Sequence, residues 1–316
     1  MHIVISDDHQ DCIRNLSCFE KLNGHTVEIF NNSVSGIDAL AERYKNAEAI
    51  VLIRERTVIT KELLDRLPKL KVISQTGKMT SHVDLQACKE KGIVVMDGRG
   101  SGSATAELNM LLILASLRKL VEEVMRLKGG LWQGYLGDQL AGKVLGVYGF
   151  GRIGKQVCHL GKAFGAKPLV WGRDSSLQKA AQEGFALASS KEDFFRTSDI
   201  VCLQLRLNDE TRHIIGPQDL AMMKPSSLLV NTSRAELIVP GALEAGLKQG
   251  HPAYAAVDTY ESEPVLGAKH PLVHLSNCLC TPHIGFVERE NYEAYFGIAF
   301  DNINAYLAGS PQNCVN

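Results

Sequence analysis

The feature that most constrains this chain is a glycine-rich turn near its middle. Gly149-Phe150-Gly151-Arg152-Ile153-Gly154 follows an apolar segment over 144–148 and precedes a helical pattern over 155–164. In such a strand–turn–helix unit, Gly149 permits a tight turn, Gly151 lets the backbone approach a pyrophosphate, and Gly154 lets helix and strand pack closely. The N–H groups and the positive dipole end of the helix favour phosphate there. The turn therefore predicts a dinucleotide-binding unit.

Short apolar segments alternate with helical patterns on both sides of this turn. The predicted strands are 2–6, 26–30, 49–53, 72–74 and 93–95 before the turn, and 144–148, 168–171, 200–205, 228–231, 255–258 and 278–281 around and after it. Alternation of this kind predicts mostly parallel sheets covered by helices on both faces. At 316 residues the chain is long enough for two such domains. The predicted fold class is α/β, with two doubly wound parallel sheets.

Composition narrows the kind of partner. Lys plus Arg (34) and Asp plus Glu (35) nearly cancel, so nothing favours nucleic acid or an anionic membrane, and a small molecule is the expected partner. The longest apolar stretch, about 110–117, is too short to span a bilayer, and the first residues lack a secretory pattern.

The eight cysteines form no CxxC pair and predict reduced thiols in the cytoplasm. Cys278 and Cys280 share a strand face, but two further ligands are missing, so no metal site is predicted.

The residues after the second strand of the dinucleotide unit bear on the choice of cofactor. An acid at the end of that strand would bind the adenosine ribose hydroxyls and repel a 2′-phosphate. Here Gly172 follows the strand, and Arg173, Asp174 and two serines come next. Arg173 with the serines would hold a 2′-phosphate, whereas Asp174 would reach a ribose. We expect Arg173 to contact the cofactor, and both NAD(H) and NADP(H) stay open.

Three reactive side chains follow the last three predicted strands. Arg234, Glu263 and His283 each come shortly after the end of one of these strands. In an open α/β sheet, ligands bind in the crevice beyond the carboxyl ends of the strands. We therefore expect the three side chains to face one crevice beside the dinucleotide.

These residue types suit hydride transfer between a nicotinamide and a 2-oxo or 2-hydroxy acid. Reduction of a 2-oxo acid needs a proton donor for the carbonyl oxygen, and histidine exchanges protons near neutral pH. A carboxylate beside the His283 ring would orient it, and Glu263 supplies one. The planar fork of Arg234 matches a substrate carboxylate in a bidentate manner. Each residue alone is common in structural roles, but the set beside a dinucleotide turn favours an oxidoreductase.

With these motifs, the chain resembles the D-isomer-specific 2-hydroxyacid dehydrogenases, which include phosphoglycerate and glyoxylate/hydroxypyruvate dehydrogenases. The resemblance is clearest over residues 104–309. It rests on Ala106-Glu107, the turn from Gly149 to Gly154, Met223-Lys224-Pro225, Asn231-Thr232-Ser233-Arg234, Val257-Asp258, Glu263-Pro264 and Thr281-Pro282-His283-Ile284-Gly285. It implies an NAD(P)-dependent D-2-hydroxyacid dehydrogenase, with His283 as acid–base group, Glu263 orienting it and Arg234 binding the substrate carboxylate.

The same resemblance implies further cofactor contacts and an arrangement of domains. The implied contacts are Arg152, Ile153, Thr232 and Asp258, the last near the nicotinamide amide. The last helix would return to the first domain. A Rossmann-type cofactor domain, residues 101–285, would thus be inserted into a flavodoxin-like substrate domain made of residues 1–100 and 286–316.

The implied substrate loop, residues 76–84, departs from the family pattern. The family usually has closely spaced glycines before Asn-Ile-Asp, whereas this loop has one glycine, Gly77. We expect Gly77 and Lys78 to offer backbone N–H groups to the substrate carboxylate, and Arg54 to face the same crevice. The family usually has Gly after the arginine, where this chain has Ala235. These departures leave the identity of the 2-oxo acid open.

A non-catalytic binding protein that senses dinucleotides is the alternative function. The C-terminal-binding-protein corepressors resemble this family and can keep the three catalytic residues. No acidic tail or disordered extension favours this alternative here. The formate dehydrogenase variant of the fold also resembles the chain, but it places Gln where Glu263 stands.

A homodimer formed through the cofactor domain is also expected. The helix predicted over 104–120 carries more apolar residues than one sheet face needs, and Trp132 follows in a glycine-rich connection. Large aromatic side chains are enriched at protein interfaces. The family resemblance implies pairing around this helix and the loop after it.

Overall fold

The computed structural model describes residues 1–79, 81–100 and 102–316 and divides into two compact units. Unit 1 comprises Met1–Ser101 and Val287–Asn316, and unit 2 comprises Gly102–Phe286. Thr80, in the predicted substrate loop, and Ser101, at the predicted domain boundary, lie outside the described residues.

Unit 1 is built on a parallel sheet of five strands. These are β1 (His2–Ile5), β2 (Thr26–Ile29), β3 (Ala49–Ile53), β4 (Val72–Thr76) and β5 (Val94–Met96), in the order β2-β1-β3-β4-β5. Its helices are α1 (Ile37–Tyr44), α2 (Lys61–Asp65), α3 (Leu85–Glu90) and α11 (Arg289–Leu307). The strand order is the flavodoxin-like one, whose ligand crevice lies at the switch point between β1 and β3.

Local features of the sequence explain why these segments of unit 1 form strands and helices. Every residue of β3 and β4 is buried, as expected for central strands of a parallel sheet that is covered on both faces. Thr60 is the N-cap of α2, because its hydroxyl accepts the Leu63 N–H at 3.2 Å. The helix α11 packs on β4, where the Ser74 hydroxyl donates to the Ala299 carbonyl at 2.9 Å. The last helix is therefore part of unit 1.

Unit 2 is built on a parallel sheet of seven strands. These are β6 (Val144–Tyr148), β7 (Lys167–Trp171), β8 (Ala186–Leu187), β9 (Ile200–Leu203), β10 (Leu228–Asn231), β11 (Tyr254–Val257) and β12 (Cys278–Cys280), in the order β12-β11-β10-β9-β6-β7-β8. Its helices are α4 (Ser103–Leu117), α5 (Leu120–Lys128), α6 (Arg152–Ala163), α7 (Asp174–Gln182), α8 (Lys191–Thr197), α9 (Pro217–Ala221) and α10 (Ala242–Gln249). This is the Rossmann order, with its switch point between β6 and β9.

The apolar residues of unit 2 form one core on each face of the sheet. One core contains Leu145, Val147 and Val230 from the strands and is covered by α4 and α6. The other contains Leu203 and Leu229 and is covered by residues of α8, α9 and α10. The predicted α/β class with two doubly wound parallel sheets is confirmed.

One sequence prediction about the elements of unit 2 needs correction, and one strand was missed. The helix predicted over 104–120 ends at Leu117, and Lys119 adopts a left-handed conformation (φ 51°) before α5 begins. The strand β8 was not predicted, because it has two residues and both are exposed, so it carries no burial pattern. Leu111 of α4 is exposed, so part of the apolar surface of this helix faces away from the core.

None of the described helices combines the length and the apolar character needed to cross a membrane.

Candidate active site

The glycine-rich turn joins β6 to α6 at the switch point of the unit 2 sheet. Gly149 has a positive φ of 102°, its N–H donates to the Trp171 carbonyl at 2.7 Å, and a side chain there would overlap the Gln204 carbonyl. A side chain at position 154 would overlap the Gly149 carbonyl oxygen. Gly151 is different, because apart from its own chain neighbours no heavy atom of the described residues lies within 4 Å of where its Cβ would stand. The open backbone at Gly151 and the N-terminus of α6 fit a pyrophosphate.

The other predicted cofactor residues lie around this turn or at strand ends of the same sheet. Arg152 and Ile153 form the first turn of α6, and Arg152 is exposed. Arg173 follows β7, is exposed, and is the N-cap residue of α7; Asp174, also exposed, begins that helix. Both a cation and an anion thus stand where the adenosine ribose would lie in a Rossmann unit.

The predicted acid–base pair is formed in the structure. His283 Nδ1 lies 2.6 Å from Glu263 Oε2, and the other carboxylate oxygen of Glu263 accepts the Tyr260 N–H at 3.0 Å. Because a carboxylate accepts from this nitrogen, Nδ1 carries the hydrogen and Nε2 is the nitrogen left to exchange a proton. The Phe286 ring packs edge-on against the imidazole, with ring centroids 5.5 Å apart. The histidine ring is held from two sides.

Asp258 holds the loop that carries His283. Its Oδ1 accepts the Thr281 hydroxyl at 2.6 Å and the Ile284 N–H at 2.8 Å, and its Oδ2 accepts the Gly285 N–H at 2.8 Å. Burial raises the pKa of this carboxyl, and the three donated hydrogen bonds oppose that rise. Asp258 therefore anchors the loop in which His283 adopts a left-handed conformation (φ 51°).

Arg234 follows β10, the strand next to the one that precedes Asp258. The Asn231 side chain fixes this segment, because its amide donates to the Arg234 carbonyl at 2.9 Å and its oxygen accepts the Ser233 N–H at 3.0 Å. Arg234 Nη1 donates to the Ser233 carbonyl at 2.7 Å. The structure thus places Arg234, Glu263 and His283 after three neighbouring strands, β10, β11 and β12.

A polar network beneath these strand ends was missed by the sequence analysis. Asn109, fully buried in α4, donates to the Thr232 hydroxyl and to the Thr105 carbonyl, both at 2.8 Å, and accepts from Gln204 Nε2 at 2.9 Å. The Thr105 hydroxyl donates to the Gly285 carbonyl at 2.8 Å. One face of α4 is therefore tied to β9, to β10 and to the histidine loop. The available signal was an Asn inside a mostly apolar helix.

The three predicted substrate residues come together in unit 1, at the carboxyl ends of β3 and β4. Gly77 has a positive φ of 79°, and a side chain at this position would collide with the Arg54 guanidinium. Arg54 donates its backbone N–H to the Thr76 hydroxyl at 3.0 Å. Lys78 Nζ lies 3.6 Å from Asp97 Oδ2, so its charge is partly offset.

Comparison with known proteins identifies a family and a solved structure similar to the whole chain. The family model described as "D-isomer specific 2-hydroxyacid dehydrogenase, NAD binding domain" matches residues 110–285. A crystal structure of a putative D-3-phosphoglycerate dehydrogenase oxidoreductase from Ralstonia solanacearum has a TM-score of 0.97 and 48% sequence identity; the match covers 100% of this chain and 96% of that one.

Two curated proteins are also similar to this chain in sequence. A glyoxylate reductase from Aeropyrum pernix is 36% identical over 291 residues, which are 88% of this chain and 86% of the relative. A D-3-phosphoglycerate dehydrogenase from Methanocaldococcus jannaschii is 36% identical over 285 residues, 88% of this chain and 53% of the relative. The chain thus spans about half the length of this second relative.

Proposed function

The chain belongs to the D-isomer-specific 2-hydroxyacid dehydrogenase family of nicotinamide-dependent oxidoreductases, and on this premise we propose that it transfers a hydride between NAD(P)H and a small 2-oxo acid. The observation that carries the proposal is the hydrogen bond of 2.6 Å between His283 Nδ1 and Glu263 Oε2. It lies at the carboxyl edge of the same sheet that holds the dinucleotide turn.

His283 is the proposed acid–base group. A bound nicotinamide would supply the hydride in reduction and accept it in oxidation. His283 Nε2 gives a proton to the carbonyl oxygen in reduction and takes it from the hydroxyl in oxidation. Glu263 keeps the ring in the required tautomer and orientation, and Asp258 keeps the loop in place. Arg234 binds the substrate carboxylate through its guanidinium fork.

Gly77, Lys78 and Arg54 are the further substrate residues in this proposal. The N–H groups of Gly77 and Lys78 bind the carboxylate, and the Arg54 guanidinium adds a cation beside them. The names of the relatives point to glyoxylate and to phosphoglycerate-type acids as the first substrates to test.

A turnover assay over a panel of 2-oxo acids tests the function. Glyoxylate, hydroxypyruvate, phosphohydroxypyruvate and pyruvate are supplied with NADH and NADPH in parallel, and the loss of nicotinamide absorbance is followed. We expect turnover with at least one acid. Tight binding of a dinucleotide without turnover of any 2-oxo acid would instead favour the dinucleotide-sensing alternative.

Arg234 allows a test of the carboxylate contact. Arg234→Lys keeps the charge but loses the planar fork, so it is expected to cost about 1–3 kcal/mol of transition-state stabilisation, measured as kcat/KM. Arg196→Lys is the matched control, because Arg196 is exposed on α8 and pairs with Glu192 at 2.9 Å. Equal kcat/KM for Arg234→Lys and the parent would contradict the assignment.

We also propose a homodimer that buries an exposed apolar surface of unit 2. None of the residues of α5 is buried, and residues 127–139 are all exposed. The apolar side chains of this surface, the α5 surface, are Leu120, Val121, Val124, Met125, Leu127, Leu131, Trp132, Tyr135 and Leu136. An apolar patch of this extent is uncommon on a monomer and marks an interaction site.

A further inference from the structure

We propose that Asn109 is a positioning residue for the cofactor, because it directs the Thr232 hydroxyl to donate its hydrogen bond into the dinucleotide crevice. The inference rests on the proposed function, in which Thr232 contacts the nicotinamide cofactor. It adds a residue that lies within the apolar helix α4 and that the proposed machinery does not otherwise use.

The Thr105 carbonyl fixes the orientation of the Asn109 amide. A carbonyl oxygen only accepts, so the group that Asn109 points at Thr105 is its NH₂, at 2.8 Å. The Asn109 oxygen then faces Gln204, whose Nε2 donates to it at 2.9 Å. The second hydrogen of the Asn109 amide is donated to Thr232 Oγ1 at 2.8 Å. A backbone group therefore sets the direction of every bond in this network.

This direction decides what the Thr232 hydroxyl offers to a ligand. Its oxygen accepts from Asn109, so its own hydrogen is left to donate elsewhere, and among the residues described it has no second partner. Thr232 follows the carboxyl end of β10, where an open α/β sheet binds its ligand. The dinucleotide offers acceptors to such a donor, in its ribose hydroxyls and its carboxamide oxygen.

The network is also placed where it would act on the cofactor. Gln204 follows β9, whose pairing with β6 forms the switch point, and its carbonyl would overlap any side chain at Gly149. Asn109 is fully buried, so its hydrogen bonds do not compete with water. Asn109 of α4 thus links Gln204, beside the glycine-rich turn, to Thr232 at the strand end.

Cofactor affinity in the absence of substrate tests the proposal. Thr232→Val, Asn109→Leu and the double variant are titrated with NADH and NADPH, with the nicotinamide fluorescence as readout. Each single variant is expected to weaken binding by about 2–10-fold, the worth of one hydrogen bond. The double variant should bind no more weakly than Thr232→Val, because Asn109 acts through Thr232.

A matched control separates positioning from general stability. Asn302 is a buried Asn of unit 1, whose amide donates to the Asp97 carbonyl at 3.1 Å and whose oxygen accepts from Asn313 at 2.9 Å. Asn302→Leu should lower the melting temperature, as Asn109→Leu does, but leave cofactor affinity unchanged. If Asn109→Leu fails to fold, Asn109→Ala is the second variant, because it removes the amide that donates to Thr232 with a smaller side chain that fits the same space. Asn109→Ala should then weaken cofactor binding in the parent and not in the Thr232→Val background.

The outcomes distinguish a failure of the proposed cofactor contact at Thr232 from a failure of the role of Asn109 alone. Parental affinity in Thr232→Val would remove Thr232 from the proposed cofactor site. Weakened binding in Thr232→Val with parental affinity in the folded Asn109 variant would overturn the role of Asn109 alone. Additive losses in the double variant would likewise overturn it, because Asn109 would then act by another route.

Discussion

Replacing His283 with Gln is expected to lower kcat by about 10²–10⁴-fold, because the variant loses the proposed acid–base group, which would give and take the proton of the substrate oxygen. Cofactor affinity should stay near the parental value, because the dinucleotide turn lies on another part of the sheet, between β6 and α6. The measurement is kcat with the best 2-oxo acid, together with a fluorescence titration of the cofactor. Near-parental turnover in this variant would remove His283 from the mechanism.

A second histidine–glutamate pair of unit 2 provides the control. His270 Nε2 lies 2.9 Å from Glu261 Oε2, so this pair resembles the catalytic one in chemistry and is near it in sequence. It follows β11, as Glu263 does, but no mechanistic step uses it. His270→Gln should therefore retain kcat. A loss as large as that of His283→Gln would show that disturbance of this loop, and not loss of the acid–base group, lowers the rate.

Glu263→Gln should lower kcat by less than His283→Gln does and by more than His270→Gln does. The amide oxygen of Gln still accepts the Nδ1–H of His283, so the ring keeps its orientation, but the negative charge that stabilises the protonated ring is lost. A smaller loss in kcat than that of His283→Gln would agree with a positioning role for Glu263. A loss larger than that of His283→Gln would contradict it.

Much of the fold was predictable because its strands are short apolar runs between polar segments. The strands β3, β6 and β10 have the predicted bounds, since each is a run of mostly β-branched or aliphatic residues that becomes buried on both faces. The strand β8 was not predictable by this signal, because both of its residues are exposed. Its place is fixed by pairing with β7, which is a tertiary contact.

The candidate site was likewise predictable only in part, because some of its features depend on tertiary contacts. The types of Arg234, Glu263 and His283 and their places after strands predicted a shared crevice, but the contact between His283 and Glu263 depends on how two loops fold. Asn109 illustrates what a local pattern does not contain. Its partner Thr232 lies 123 positions further along the chain, so the sequence shows a polar residue in an apolar helix without showing what it binds.

If the proposed dimer forms, loss of the α5 surface is expected to convert it to a monomer. Trp132 is 76% exposed although it is a large aromatic side chain, which is unusual unless a partner covers it. The connection that carries it is held along α5, because the N–H groups of Gly134 and Tyr135 both donate to Glu123 Oε1, at 2.8 and 2.6 Å. The apolar side chains are thus presented on an ordered segment, which lowers the entropy cost of association.

Trp132→Ala is expected to raise the dimer dissociation constant about 30-fold or more, as truncation of a central aromatic anchor does. Met125→Glu should have a larger effect, because a two-fold interface uses the same patch twice and would bury two unpaired charges. Leu187→Ala is the matched control, since Leu187 is also exposed but lies on β8, at the edge of the sheet. Sedimentation velocity at several micromolar concentrations gives the oligomeric state of each variant. A parent protein that stays monomeric over this range would overturn the proposal, because the α5 surface would then be exposed in solution without a second copy.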